Sequence, residues 1–229
     1  PQRAAPPSIG GKGLRLYPLG GFEEVGRNCF VVDVDGDLYI IDLGLQFPEE
    51  DMPGIDYLIP DLSSLKGKEN RIKAVIFTHG HLDHIGAVQH VLPGLHFPPC
   101  YGTKLTMAFV RKRLDEEKLT SKARLNTAEF GKPIQIGKVR VEFLRVTHSI
   151  PDACAIALHT PQGVIVHSGD FKLDETPTDG RMTGLGRLRE LGKAGVSVLL
   201  ADSTNVMKAG HAPSEETCRE GLREAFRRT

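Results

Sequence analysis

The chain has 229 residues, 40% of them hydrophobic, with 29 Lys and Arg against 29 Asp and Glu, a formal net charge of +0. That length can bury one large core or two small ones, and the charge balance excludes a global pull on nucleic acid. No apolar run is long enough to span a membrane and no signal-peptide pattern is present, so a cytoplasmic location is expected.

Residues 1–13, rich in Pro and Gly, are expected to form a disordered leader. Leu14 to Leu19 reads as a first strand, and Gly20-Gly21 opens a loop running to Asn28. Cys29 to Val34 and Leu38 to Asp42 read as two strands joined by Asp35-Gly36-Asp37, a hairpin signal. After a Pro-rich excursion, Met52 to Pro60, the β-branched run Lys73 to Phe77 reads as a buried strand. Ile85 to Leu92 reads as one face of a short helix. A longer helix is expected over Thr103 to Lys118, with Leu105, Ala108, Phe109 and Leu114 as its apolar face. Its Arg111-Lys112-Arg113 cluster reads as a solvated face. Pro133 to Ile136, Val139 to Val146, Cys154 to His159 and Val164 to His167 read as further strands. A helix near Leu185 to Lys193 leads into a strand over Val196 to Asp202. Ser214 to Arg228 reads as a helix capped by Ser214, with Glu215 and Glu216 in its first turn. Strand clusters alternating with helices imply an α/β chain of two sheets sandwiched between helices, in four layers. The chain ends inside a helical pattern without a stop signal, so a truncated polypeptide is expected.

The four cysteines, Cys29, Cys100, Cys154 and Cys218, form no CxxC pair. They are expected to be small buried residues in a reducing compartment.

Chemistry concentrates between the strand ending at Phe77 and the helix after it. Thr78-His79-Gly80-His81-Leu82-Asp83-His84 crowds three imidazoles and a carboxylate into one loop. Neutral imidazole and carboxylate are good ligands for zinc. Two later residues sit where a strand gives way to a loop, His148 after Val146 and Asp170 after His167. If the strand ends lie side by side, all converge on one rim. His79, His81 and His148 then form one site, Asp83 and His84 begin a second, and Asp170 bridges the two. Such a site holds two ions roughly 3.5–4 Å apart with a hydroxide between them. That assembly attracts and polarises a phosphate diester. Asp83 and Asp170 are candidates to orient the hydroxide. Asp42 ends a strand, and two readings stand: a group behind the ligands, hydrogen-bonded to a histidine or to the loop, or an Asp that opens the turn before Gly44. His90, His96, His159, His167 and His211 lack a matched partner and are expected to be structural.

Asp42, the His-x-His-x-Asp-His loop, His148 and Asp170 together resemble the metallo-β-lactamase superfamily. Leu19 to Asn28, Thr147 to Asp152, Gly169 to Lys172 and Ala201 to Asn205 are similar to the ribonuclease J family within its β-CASP nuclease group. The resemblance implies the four-layer αββα sandwich of that superfamily over residues 14–207. It implies an inserted β-CASP domain beginning at 208–229, so that the chain is truncated before most of it. It further implies a ribonuclease with 5′-to-3′ exonuclease and endonuclease action in RNA maturation and decay. Two zinc ions are implied as cofactors, with manganese as an alternative, and single-stranded RNA with its 5′ end as substrate. A homo-oligomer, a dimer in the full-length protein, is implied as well. Asp202 falls where the group carries an acidic residue behind the metal ligands. A further histidine from beyond the insertion is implied to complete the second metal. Two rival readings are another hydrolase of the superfamily, acting on thioesters or lactones, and a scaffold that binds metal or RNA without catalysis.

Overall fold

A computed structural model describes residues 12–228. Of the expected leader, residues 1–11 lie outside the described residues. The first sheet contains six strands in the order β1 (Leu14–Gly20), β2 (Cys29–Val34), β3 (Asp37–Ile41), β4 (Ile72–Ile76), β5 (Cys100–Gly102) and β6 (Leu125–Thr127). The second contains five, β7 (Ile134–Ile136), β8 (Val139–Arg145), β9 (Cys154–Thr160), β10 (Gly163–His167) and β11 (Val198–Leu200), in the order β11-β10-β9-β8-β7. β1, β2 and β3 run antiparallel, whereas β3, β4, β5 and β6 run parallel.

The two-residue period of the strands explains the layering. Phe30, Val32 and Val34 of β2, with Tyr39, Ile41, Ala74 and Ile76, face Val141, Phe143, Ile156, Leu158 and Ile165 of the other sheet. Their neighbours Cys29, Val31, Leu38, Ile40 and Val75 point the opposite way, onto α2 (Val88–Val91) and α3 (Lys104–Glu116). On the far face of the second sheet, Leu144, Ala155, Ala157 and Val166 meet Leu191 of α4 (Leu185–Ala194). Helices, sheet, sheet and helix thus make the expected αββα sandwich. Tyr39 also crosses between the sheets, donating its hydroxyl to the Ile136 carbonyl at 2.8 Å. At the β2–β3 hairpin, Asp35 (φ 48°) and Gly36 (φ 85°) both take left-handed conformations, the geometry a two-residue turn demands.

Four expectations change. The helix over Ile85 to Leu92 is two separate turns, α1 (Leu82–Ile85) and α2, because the Ala87 N–H donates to Leu43 O at 2.9 Å and leaves the helical ladder. On α3, Leu105 is half-buried and Ala108 and Phe109 are exposed; the buried stripe is Thr106, Met107, Val110 and Leu114. Cys29, Cys100 and Cys154 are buried, with burial pushing the Cys100 thiol up to about 12, but Cys218 lies exposed on α5 (Glu215–Arg228). All four thiols are free. The edge strand expected over Val196 to Asp202 shortens to β11, and β5 and β6, three residues each, carried no periodic signal. No described helix is long and apolar enough to cross a membrane.

The outer face of the second sheet carries one buried charge. Glu142 accepts from Arg187 Nε at 2.6 Å and Nη2 at 3.0 Å, and lies 3.1 Å from His159 Nε2. The Arg187 hydrogen bonds hold its carboxyl below the usual range against the opposing effect of burial. A carboxylate with a depressed folded pKa stabilises above its unfolded pKa and loses that contribution as pH falls. Glu142→Gln should therefore cost about 1–3 kcal/mol at pH 7. The gap to the parent protein should narrow below about pH 4. Urea unfolding of both proteins at the two pH values measures this, and a gap independent of pH would rule out a charge contribution.

Candidate metal centre

Four strand ends reach the same rim. β3 ends at Ile41 opposite Ile76 of β4, so Asp42 and the Thr78–His84 loop leave the first sheet together. β8 and β10 deliver His148 and Asp170 from the second sheet. The Cys154 N–H donates to Thr78 O at 3.0 Å and stitches the two sheets at this point. Gly169 (φ 58°) passes so close that a Cβ would lie 2.9 Å from both Cys154 O and Thr78 Cβ.

Asp42 organises the loop from behind. It is 1% exposed and left-handed (φ 61°). Its Oδ1 accepts from Thr78 N at 2.8 Å, and its Oδ2 accepts from Thr78 Oγ1 at 2.8 Å and from His84 Nδ1 at 2.7 Å. With its own proton directed at Asp42, Thr78 Oγ1 is left to accept from His79 Nδ1 at 3.1 Å. That bond fixes the tautomer of His79 with the Nε2 lone pair facing the front. Gly44 lies under the same loop, where a Cβ would come within 1.6 Å of Asp83 O.

In front, two groups of donors share His79. His79, His81 and His148 form the first, with His81 Nδ1 at 3.1 Å from both His79 Nε2 and His148 Nε2. His79, His84 and Asp170 form the second. Within each group the donor atoms lie within 4.8 Å of one another. Asp170 Oδ1 is 3.3 Å from His84 Nε2 and its Oδ2 is 3.8 Å from His148 Nε2, so its two oxygens face different histidines. Asp83 Oδ2 lies 3.5 Å from His84 Nε2, at the edge of the second group.

Burial, helped by the neighbouring His84, drives the His79 pKa far down, and burial lowers His81 and His148 as well. These rings are neutral and offer lone pairs. His84 goes the other way: burial opposes its charge, but Asp42, Asp170 and Asp83 raise it well above the ordinary value. Burial alone would raise Asp170, yet its hydrogen bond to His84 and the surrounding imidazoles pull it below the carboxylate range. Neutral imidazoles beside carboxylates that favour positive charge are the donor set a divalent cation requires, so the residues fit a metal.

The other expected residues lie elsewhere. Asp202 is outside both groups; its Oδ1 accepts from Thr204 N and Oγ1 at 2.8 and 2.7 Å, and only its charge reaches His148. His90 stacks on Tyr57, His159 pairs with Glu142, and His167 Nδ1 accepts from the Gly169 N–H. Two participants carried no assigned role in the sequence reading. Thr78 is one. Asn28 is the other, its Nδ2 donating to Asp83 O at 3.0 Å and lying 3.1 Å from His84 Nε2. The position of Thr78 directly before the first loop histidine is a usable signal; the reach of Asn28 across 55 residues has none.

Residues 23–226 match the family model described as Metallo-beta-lactamase superfamily. Among curated proteins, the chain is 41% identical to "Ribonuclease J" of Synechocystis sp., over 93% of this chain and 33% of that protein. It is 43% identical to "Ribonuclease J" of Thermus thermophilus, over 88% of this chain and 36% of that one. With "Ribonuclease J 2" of Staphylococcus aureus it shares 37% identity over 94% of this chain and 38% of the relative. The chain thus spans about a third of the length of these relatives. The crystal structure of a protein of unknown function from Enterococcus faecalis V583 shares the fold, with a TM-score of 0.65 at 19% identity over 91% of this chain and 56% of that one.

The Thr78 hydroxyl supplies a test of how the cage is held. Thr78→Val keeps the shape but removes the group joining Asp42 to His79, and should weaken zinc binding on the order of 10–100-fold. Thr78→Ser should restore it. Competition titration with a chromophoric chelator reads both, and an unchanged affinity in Thr78→Val would show that Asp42 alone suffices.

Proposed function

The chain belongs to the metallo-beta-lactamase superfamily, and on that premise we propose that it is the N-terminal part of a zinc-dependent ribonuclease hydrolysing RNA phosphodiester bonds. In this reading His79, His81 and His148 hold one ion, Asp83 and His84 contribute to a second, and Asp170 bridges them. Residues 208–229 open an inserted β-CASP domain. The substrate is single-stranded RNA entered from its 5′ end, cut in both exonuclease and endonuclease modes during RNA maturation and decay. The complete protein is a cytoplasmic dimer.

One observation carries the proposal: the two oxygens of Asp170 are turned toward histidines of different donor groups, as a bridging carboxylate requires. The names of the relatives supply the substrate class. An imidazole-rich donor set favours zinc over magnesium, with manganese as the alternative. Divalent ions in such a cage supply Lewis acidity and a nucleophile at neutral pH. The chain's own residues do the rest. Neutral His79, His81 and His148 present fixed lone pairs. Asp83, partly exposed at the rim, is placed to accept a proton from an attacking water. Asp42 and Thr78 keep His84 and His79 oriented throughout. Asp202 acts on His148 through its charge.

In the full-length protein, Asp170→Ala should abolish RNA cleavage and lower occupancy of both metal positions. Asp83→Ala should spare the ion at His79, His81 and His148. Metal analysis after dialysis, together with turnover of a 5′-labelled RNA and of a thioester, checks all three statements. Full occupancy and normal cleavage in Asp170→Ala would remove the bridging role. Thioester turnover without RNA cleavage would replace the nuclease reading altogether.

A further inference from the structure

Asp170 opens a segment whose far end is fastened to α5. Four residues on, Asp174 is buried, its side chain 0% exposed. Its Oδ1 accepts from Thr176 N at 2.9 Å, and its Oδ2 accepts at 2.9 Å from the N–H of Glu215, the first residue of α5. A carboxylate from another part of the chain therefore satisfies one of the backbone donors a helix start leaves open. Lys172 reinforces the junction: its Nζ donates to Pro213 O at 3.0 Å and pairs with the Glu215 carboxylate. Thr176 and Ser214 exchange a hydroxyl contact at 2.8 Å, and Ser214 Oγ donates to Thr176 O at 3.0 Å.

The same segment is zipped to the loop carrying His148. Lys172 N donates to Thr147 O at 2.8 Å, Thr147 Oγ1 donates to Lys172 O at 2.5 Å, and Asp174 N donates to Thr147 Oγ1 at 3.3 Å. α5 itself buries no side chain. Its described ion pairs beyond the first turn, Glu216–Arg219 and Glu224–Arg228, are internal to the helix. The start of the helix is thus attached to the sandwich through the stretch that follows Asp170.

We infer that Asp174 is a positioning residue: by seating the start of α5 it holds the Asp170 segment against the His148 loop, coupling the placement of that helix to the second half of the metal centre. The inference rests on Asp170 being a metal ligand. His79, His81, Asp83 and His84 arrive from the first sheet, and Thr78, Asp42 and Asn28 hold His79, His84 and the Asp83 backbone outside this clamp. His148 belongs to the first group of donors and Asp170 faces both groups, so loosening the clamp should weaken both ions.

Asp174→Asn tests the coupling, because an amide keeps the shape but turns an NH2 toward one of two backbone N–H groups. Zinc titration with a competing chelator should show both ions weakened on the order of 10-fold. The visible bands of the cobalt-loaded protein should shift, and amide exchange over residues 214–218 should quicken. Glu224→Gln, which removes only the ion pair with Arg228 within α5, should change none of these. If Asp174→Asn quickens exchange while both constants and the cobalt bands stay put, the coupling is overturned. Weakened ions with unaltered exchange overturn it too. Should Asp174→Asn fail to fold, Ser214→Ala loosens the same junction and is judged by the same criteria. Asp170→Ala runs alongside: retention of both ions there sinks the ligand assignment itself, whereas weakening of both there combined with retention in Asp174→Asn sinks only the coupling.

Discussion

The metal centre depends on one buried carboxylate. Asp42 accepts from a backbone amide, a hydroxyl and an imidazole at 2.7–2.8 Å, in a place shielded from water. A charge so buried is costly unless it is fully hydrogen-bonded, and here it is. Each donor belongs to the loop that carries the histidines, so satisfying Asp42 and orienting His79 and His84 are a single event. The left-handed backbone at Asp42 is what turns its side chain under the loop.

Around that anchor the protein divides its labour between sheets. The first sheet supplies a rigid cluster of ligands from one short loop, tied down at Asp42, Thr78, Asn28 and the close approach of Gly44 to Asp83 O. The second supplies single residues, His148 and Asp170, from the ends of β8 and β10. Their relative placement depends on the Cys154–Thr78 stitch and on the Thr147–Lys172 bridge. The first half is local and stiff, while the second inherits its geometry from how two sheets and one helix start are docked. Electrostatics separate the histidines as well: burial and His84 lower His79, whereas Asp42, with Asp170 and Asp83, raises His84 against its burial.

Continuous apolar runs were enough to mark most of the central strands, because a strand buried on both faces of a sandwich must be apolar almost throughout. The exceptions have physical causes. β5 and β6 are three residues long, too short to show a period. The break between α1 and α2 comes from the carbonyl of Leu43, a partner distant in sequence that captures the Ala87 amide. On α3 the apolar residues Ala108 and Phe109 fall on the open side, where the Phe109 ring covers Gly80 of the metal loop, and the polar Thr106 is buried by hydrogen-bonding Thr103 at 2.9 Å.

The sequence by itself determined the alphabet of the site: imidazoles and carboxylates at strand ends, in a loop too dense in ligands to be ordinary surface. It also determined the layer pattern, since the side-chain period dictates which face of each strand is buried. The first group of donors was already legible there, and tertiary structure decided the contacts between the groups. That His79 is shared by both donor sets, that Asp170 turns one oxygen to each, that Asn28 reaches His84, and that Asp202 stays outside all follow from distances between segments far apart in the chain. Such distances are set by sheet-on-sheet packing and by single long-range hydrogen bonds, which leave no periodic trace in the residues that make them.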